Sequence, residues 1–151
     1  EINSEISLRT SIIVGFPNET DKDFKDLCDF IQDIQFDRLG VFRYSEEEGT
    51  SAANDYKDNI PSKIKQERYD QLMMIQQKIN LNKNINRIGS KEKVLVDVVS
   101  DDGWSLARSY KDAPEIDNYV KVNKKLNKGS FYNVKIKEAF EYDVLGEIID
   151  G

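Results

Sequence analysis

The chain has 151 residues, 38% of them hydrophobic, with 22 basic and 28 acidic side chains and a net charge of -6; this is enough for one ordinary domain or two small ones. One cysteine, Cys28, and no histidine exclude an internal disulfide, a His-dependent triad and a zinc site, and point to a reducing compartment. No run approaches the roughly 20 apolar residues of a membrane span and no signal-type leader opens the chain, so a soluble, cytoplasmic protein with no membrane partner is expected. Residue 1 is not Met and a strand follows at once, which points to a chain that begins inside a longer protein.

In chain order, residues 8–14 read as a β-branched strand, apolar on both faces, as expected when both are covered. Gly15-Phe16-Pro17-Asn18-Glu19-Thr20 then joins it to a helix. Gly15 permits close backbone approach, and Thr20 is the predicted N-cap, with Asp21 and Asp23 in the dipole-favoured first turn. Such a junction is either a ligand rim or a purely structural turn. Phe24, Leu27, Cys28, Ile31 and Ile34 recur at helical spacing over residues 21–35, which makes Cys28 a small core hydrophobe rather than a reactive thiol.

A second strand is predicted over residues 38–44 and a polar loop over residues 45–59. The loop carries Glu46-Glu47-Glu48, read as a solvated tip, with two carboxylates beside a ligand as the alternative. Pro61 opens a helix to about residue 88, with Ile64, Arg68, Leu72, Ile75 and Ile79 on one face, Met73 and Met74 as core filler, and Gly89 as its stop. Two parallel strands with two helices leave both sheet edges unpaired, so this half needs further strands from elsewhere.

After Gly89 the pattern changes to short strands at residues 94–99, 104–110, 118–122, 130–137 and 142–149, with a turn at Asp101-Asp102-Gly103. Five strands in about 60 residues predict a small β-barrel. Trp104, Phe131 and Tyr132 are either an aromatic platform for nucleic acid or core, the latter for at least two of them. Charge is uneven: residues 1–59 hold 6 basic and 14 acidic side chains, residues 60–90 hold 6 and 2, and residues 91–151 hold 10 and 12.

The stretch Leu8-Arg9-Thr10-Ser11-Ile12-Ile13-Val14-Gly15-Phe16-Pro17-Asn18-Glu19-Thr20, with Phe36 through Ser45 and Glu48-Gly49-Thr50, resembles the last third of a radical S-adenosylmethionine (SAM) methylthiotransferase barrel. Asn18 stands where that family usually has Gly, a turn position Asn tolerates. The β-rich tail resembles the TRAM domain that ends these enzymes. Asp112-Ala113-Pro114-Glu115-Ile116-Asp117 and Glu141-Tyr142-Asp143-Val144-Leu145-Gly146-Glu147 resemble the branch acting on a ribosomal protein rather than the tRNA-modifying branches.

The resemblance implies an α/β plus all-β chain: the last two βα units of an incomplete radical SAM TIM-type barrel over residues 1–84, then a five-stranded TRAM barrel over residues 85–151. It implies a parent enzyme that methylthiolates the β-carbon of an aspartate in small-subunit ribosomal protein twelve. The parent would use S-adenosylmethionine and two 4Fe-4S clusters. Cys28 alone cannot hold a cluster that needs three thiolates, so neither a metal site nor a catalytic residue is assigned here and the chain alone is expected to be inactive. Ile13, Gly15 and Phe42 are carried over as cofactor contacts or barrel core, and Arg9 as a contact to the cofactor carboxylate or a structural ion pair. A basic ribosomal protein is expected against Asp112, Glu115, Asp117, Glu141 and Asp143. RNA is the less favoured partner, since residues 91–151 carry no net positive charge. A tRNA methylthiotransferase and a non-catalytic RNA-binding TRAM module are the alternatives. The barrel tail is expected to be stable and the first half poorly ordered or self-associating.

Overall fold

In the computed structural model, residues 6–112 and 118–149 are described, and the chain divides into two units, Glu1–Ile79 and Asn80–Gly151. The first unit is built on β1 (Arg9–Val14) and β2 (Arg38–Arg43), which pair in parallel from Arg9 opposite Arg38 to Val14 opposite Arg43. Between them runs α1 (Asp21–Ile34). Thr20 caps α1 reciprocally, accepting from the Asp23 N–H while the Asp23 carboxylate accepts from the Thr20 N–H. Gln35 in the left-handed conformation ends it. The expected helix and its cap are therefore present.

Two local expectations differ. The predicted loop 45–59 contains a short helix, α2 (Ser51–Asp55), because the Thr50 hydroxyl accepts the Ala53 N–H and starts a turn that polar composition hid. β1 is not covered on both faces: Val14 is fully buried whereas Ile13 is 54% exposed. With only β2 beside it among the described strands, one sheet face packs on helices and the other stays open.

The long helix α3 (Ser62–Asn86) buries Leu72 and Ile79 against Val14, Phe24, Cys28, Ile31 and Val41. Its buried face also holds Lys65, Arg68 and Gln76. Gln76 donates to the Phe36 carbonyl at 2.9 Å, and the two cations meet carboxylates, so these buried donor groups find acceptors as a low-dielectric interior requires. None of the described helices is long and apolar enough to cross a membrane.

The second unit is a closed five-stranded barrel, ordered β3-β4-β5-β7-β6, from β3 (Lys91–Val99), β4 (Ser105–Arg108), β5 (Val120–Val122), β6 (Phe131–Ala139) and β7 (Val144–Ile148). The alternating residues Val94, Val96, Ala107, Val120, Val122, Val134, Ile136 and Val144 fill its interior. Closure leaves no free edge, which explains how so short a segment forms a sheet without a helical layer. A Cβ on Gly146 would stand 2.9 Å from Val120 Cγ1, so the strands meet there because no side chain intervenes. Register shifts in β3 and β6 mark bulges at Val96/Val98 and Ile136/Glu138.

Candidate functional site

In the first unit the C-terminal ends of β1 and β2 carry a rim made by Gly15–Thr20 and the chain after Arg43. Gly15 is buried with a φ of +71°, and a Cβ there would collide with the Lys65 side chain. Its place is thus explained by backbone conformation and by close approach of a lysine stem. The Gly15 N–H donates to Glu19 Oε2 at 3.1 Å. The other oxygen of Glu19 takes Arg68 Nη1 at 2.5 Å, and Arg68 Nη2 reaches Asp21 at 2.8 Å. The rim is held in shape by a buried guanidinium from α3.

Lys65, one turn earlier on α3, donates to Asp58 Oδ2 at 2.5 Å and to the Tyr44 carbonyl at 3.1 Å, and its ammonium lies 5.0 Å from the Tyr44 ring centre. The lysine hydrogen bond outweighs burial and holds the Asp58 carboxyl below its ordinary range. Burial, with the Glu46 and Asp58 charges, pushes the Tyr44 phenol up. Its hydroxyl is enclosed with no hydrogen-bond partner among the described residues. These groups line a groove of about 800 Å³ with Phe42, Glu46 and Tyr69. Of these, sequence reading placed Arg68 on the helix stripe but missed the Lys65–Asp58 and Arg68–Glu19 pairs. The available signal was a Lys and an Arg three residues apart on a helix whose predicted partner turn is acid-rich.

Ile13 and Phe42 lie opposite each other in register and are 54% and 58% exposed, side by side on the open sheet face. Arg9 shares that face by strand alternation and is exposed. Gly15 stands apart from them, under Lys65.

The acids proposed for a protein partner separate by burial. Asp112 is 6% exposed and accepts the Ser109 hydroxyl at 2.6 Å, so it is engaged inside the unit rather than displayed. Asp143 accepts the Tyr119 N–H at 3.0 Å and Lys121 Nζ at 2.5 Å, tying β5 to β7. Glu141 is half-buried in the turn between β6 and β7. Glu115 and Asp117 lie outside the described residues. Of the three aromatics, Tyr132 packs on the barrel core, Trp104 is half-buried and Phe131 is exposed.

Comparison with known proteins accounts for both units. The TRAM domain family model matches residues 88–149. A protein of Vibrio cholerae, named ribosomal protein uS12 methylthiotransferase RimO, is 45% identical over 99% of this chain and 32% of its own length. Proteins of the same name from Desulforamulus reducens and Clostridium acetobutylicum are 48% and 46% identical, each over 95% of this chain and about a third of their own length. The similarity thus runs through the strand-helix half and the barrel alike: the chain is similar to proteins named RimO, spans about one third of their length, and matches the TRAM domain at residues 88–149.

Proposed function

We propose that this chain is part of a radical SAM enzyme that methylthiolates the β-carbon of an aspartate in a basic small-subunit ribosomal protein in the cytoplasm, residues 1–84 completing a TIM-type barrel ahead of the TRAM domain. The observation that carries the reading is the 45–48% identity, over 95–99% of this chain, to relatives named for acting on uS12. The open face of β1 and β2 supports it. Ile13 and Phe42 offer an apolar patch against which a planar base packs, Arg9 supplies a cation on the same face, and the two strands need neighbours to bury that patch.

The iron–sulfur clusters do not fit the residues at hand. A cluster takes three or four thiolates, the chain has Cys28 alone, and that thiol is buried. On this reading the cluster ligands come from the rest of the longer protein, and the 151 residues by themselves catalyse nothing. On the same reading Glu141, Glu115 and Asp117 are the acids offered to the basic substrate.

The test joins these residues to the remaining two thirds of a relative, reconstitutes iron and sulfide, and supplies S-adenosylmethionine with uS12 or with tRNA. A methylthio mass gain on an aspartate of uS12 is expected. A gain on tRNA, or none on uS12 with clusters and cofactor cleavage intact, overturns the proposal.

A further inference from the structure

The buried face of α3 carries an ammonium where an apolar side chain of the same length would pack without desolvating a charge. The Lys65 side chain is 7% exposed, and replacing a buried ion pair by apolar residues of similar volume is often neutral or stabilising. What the ammonium adds is direction. It donates to the Tyr44 carbonyl at 3.1 Å and to Asp58 Oδ2 at 2.5 Å, which are the two ends of the segment that leaves β2. Its stem lies against Gly15, the first residue beyond β1. The Tyr44 N–H still donates to the Val14 carbonyl at 2.9 Å, whereas the Tyr44 carbonyl turns to Lys65. Next to Asp58, Asn59 exchanges two hydrogen bonds with Asn18, at 2.9 and 2.8 Å, so the far end of the segment is tied to the turn after β1.

Gly15 and Tyr44 each stand two residues beyond a member of the Ile13–Phe42 pair on the open sheet face. One side chain therefore fixes both strand ends beside the patch offered to a planar base, and Phe42 and Lys65 line the same groove. Arg68 does not duplicate this role, because its guanidinium is taken by Glu19 and Asp21 on the β1 side of the rim. With a carbonyl, a carboxylate and the Tyr44 ring around it, the ammonium acts on the protein's own backbone and not on a ligand. A rim left loose has to be ordered when a ligand arrives, and that ordering lowers affinity. Resting on the methylthiotransferase reading, we propose that Lys65 is a positioning residue of the cofactor site: it holds the ends of β1 and β2 and the base of the segment 45–58 in the arrangement that receives S-adenosylmethionine.

The test uses these residues joined to the remaining two thirds of a relative, with clusters reconstituted and no reductant, and measures S-adenosylmethionine binding by equilibrium dialysis. Lys65→Met keeps an unbranched stem and removes the ammonium; Lys63→Met, at a lysine 85% exposed on the same helix, is the control. Lys65→Met is expected to weaken binding about tenfold, the scale of a hydrogen bond to a charged group, and to speed hydrogen exchange at residues 44–59 while α1 and the barrel keep theirs. In turnover the loss appears in the KM for S-adenosylmethionine, with kcat at saturation within about twofold of the parent. Should Lys65→Met not fold, Asp58→Asn, at a side chain 28% exposed, frees one end of the segment and is expected to weaken binding about threefold. Parental affinity in the folded variant, an equal loss in Lys63→Met, or a loss confined to kcat overturns the inference. A parent protein that binds S-adenosylmethionine but leaves uS12 unmodified overturns the substrate reading and leaves this one standing; a parent that does not bind it overturns both.

Discussion

The ion pair of Arg87 and Glu92 fastens the chain entering the barrel to its first strand, and its removal has a magnitude that the geometry sets. Arg87 Nε and Nη2 meet Glu92 Oε1 and Oε2 at 3.0 and 2.9 Å, Ser90 adds a hydroxyl at 3.0 Å, and the two side chains are 17% and 18% exposed. A pair so enclosed lies between surface bridges, worth about 0–1 kcal/mol, and buried pairs, where loss of one partner costs about 3–5 kcal/mol. About 2 kcal/mol is therefore expected for Glu92→Gln. With a urea slope of about 1 kcal/mol per molar for so small a unit, the midpoint falls by about 2 M. Trp104 is the only tryptophan and sits in the barrel unit, so its fluorescence reports this transition.

The pH dependence follows from the carboxyl. Burial alone would raise the Glu92 pKa, but the hydrogen bonds and charge of Arg87 prevail and hold it below the ordinary 4.5. A carboxyl depressed in the folded state contributes stability that is present above the unfolded pKa and is lost as pH falls through the folded one. Arg87 stays charged throughout. The gap between the parent chain and Glu92→Gln is thus full at pH 7 and closes progressively below about pH 4. A midpoint shift under about 0.5 M at pH 7, or a gap that persists unchanged at pH 3, would refute the account.

Three other outcomes are expected. Gly146→Ala, which drives a methyl to within 2.9 Å of Val120 Cγ1 and 3.3 Å of Val134 Cβ, should destabilise the barrel by about 1–3 kcal/mol; a Trp104 transition at the parental midpoint argues against it. Gly15→Ala meets both a φ of +71° and the Lys65 stem, so hydrogen exchange at residues 15–20 should accelerate while that of the barrel is unchanged. A two-stranded sheet with an open apolar face is weaker than a closed barrel, so exchange in β1 and α1 should be lost at lower urea than Trp104 fluorescence, and one coincident transition by both probes contradicts this.

Local codes carried much of the fold. The Thr20-to-Asp23 cap, the 3.6-residue recurrence through Ile31 and the spacing of five short strands all act within a few residues, where propensity and periodicity decide. α2 escaped because one capping hydroxyl within a polar stretch defines it. The open side of β1 escaped because an apolar strand reads alike whether one or two faces are covered; coverage depends on neighbours that the strand does not encode. Arg68 was placed correctly on the inward stripe, yet its reason for being there, Glu19 some 49 residues away, is a pairing across sequence distance.

The candidate sites divide along the same line. Sequence by itself determined that this chain lacks the thiols for a cluster, that a capped strand-helix junction precedes a small barrel, and which family those motifs resemble, since each rests on residue identity at short spacing. Tertiary structure alone decided which charges are displayed. It turned Asp112 inward to Ser109 and Asp143 toward Lys121, and it set Lys91 opposite Lys135, 44 positions apart in the chain. Antiparallel register brings such residues within a few ångströms whatever their separation in sequence, and no count of charges along the chain contains that information.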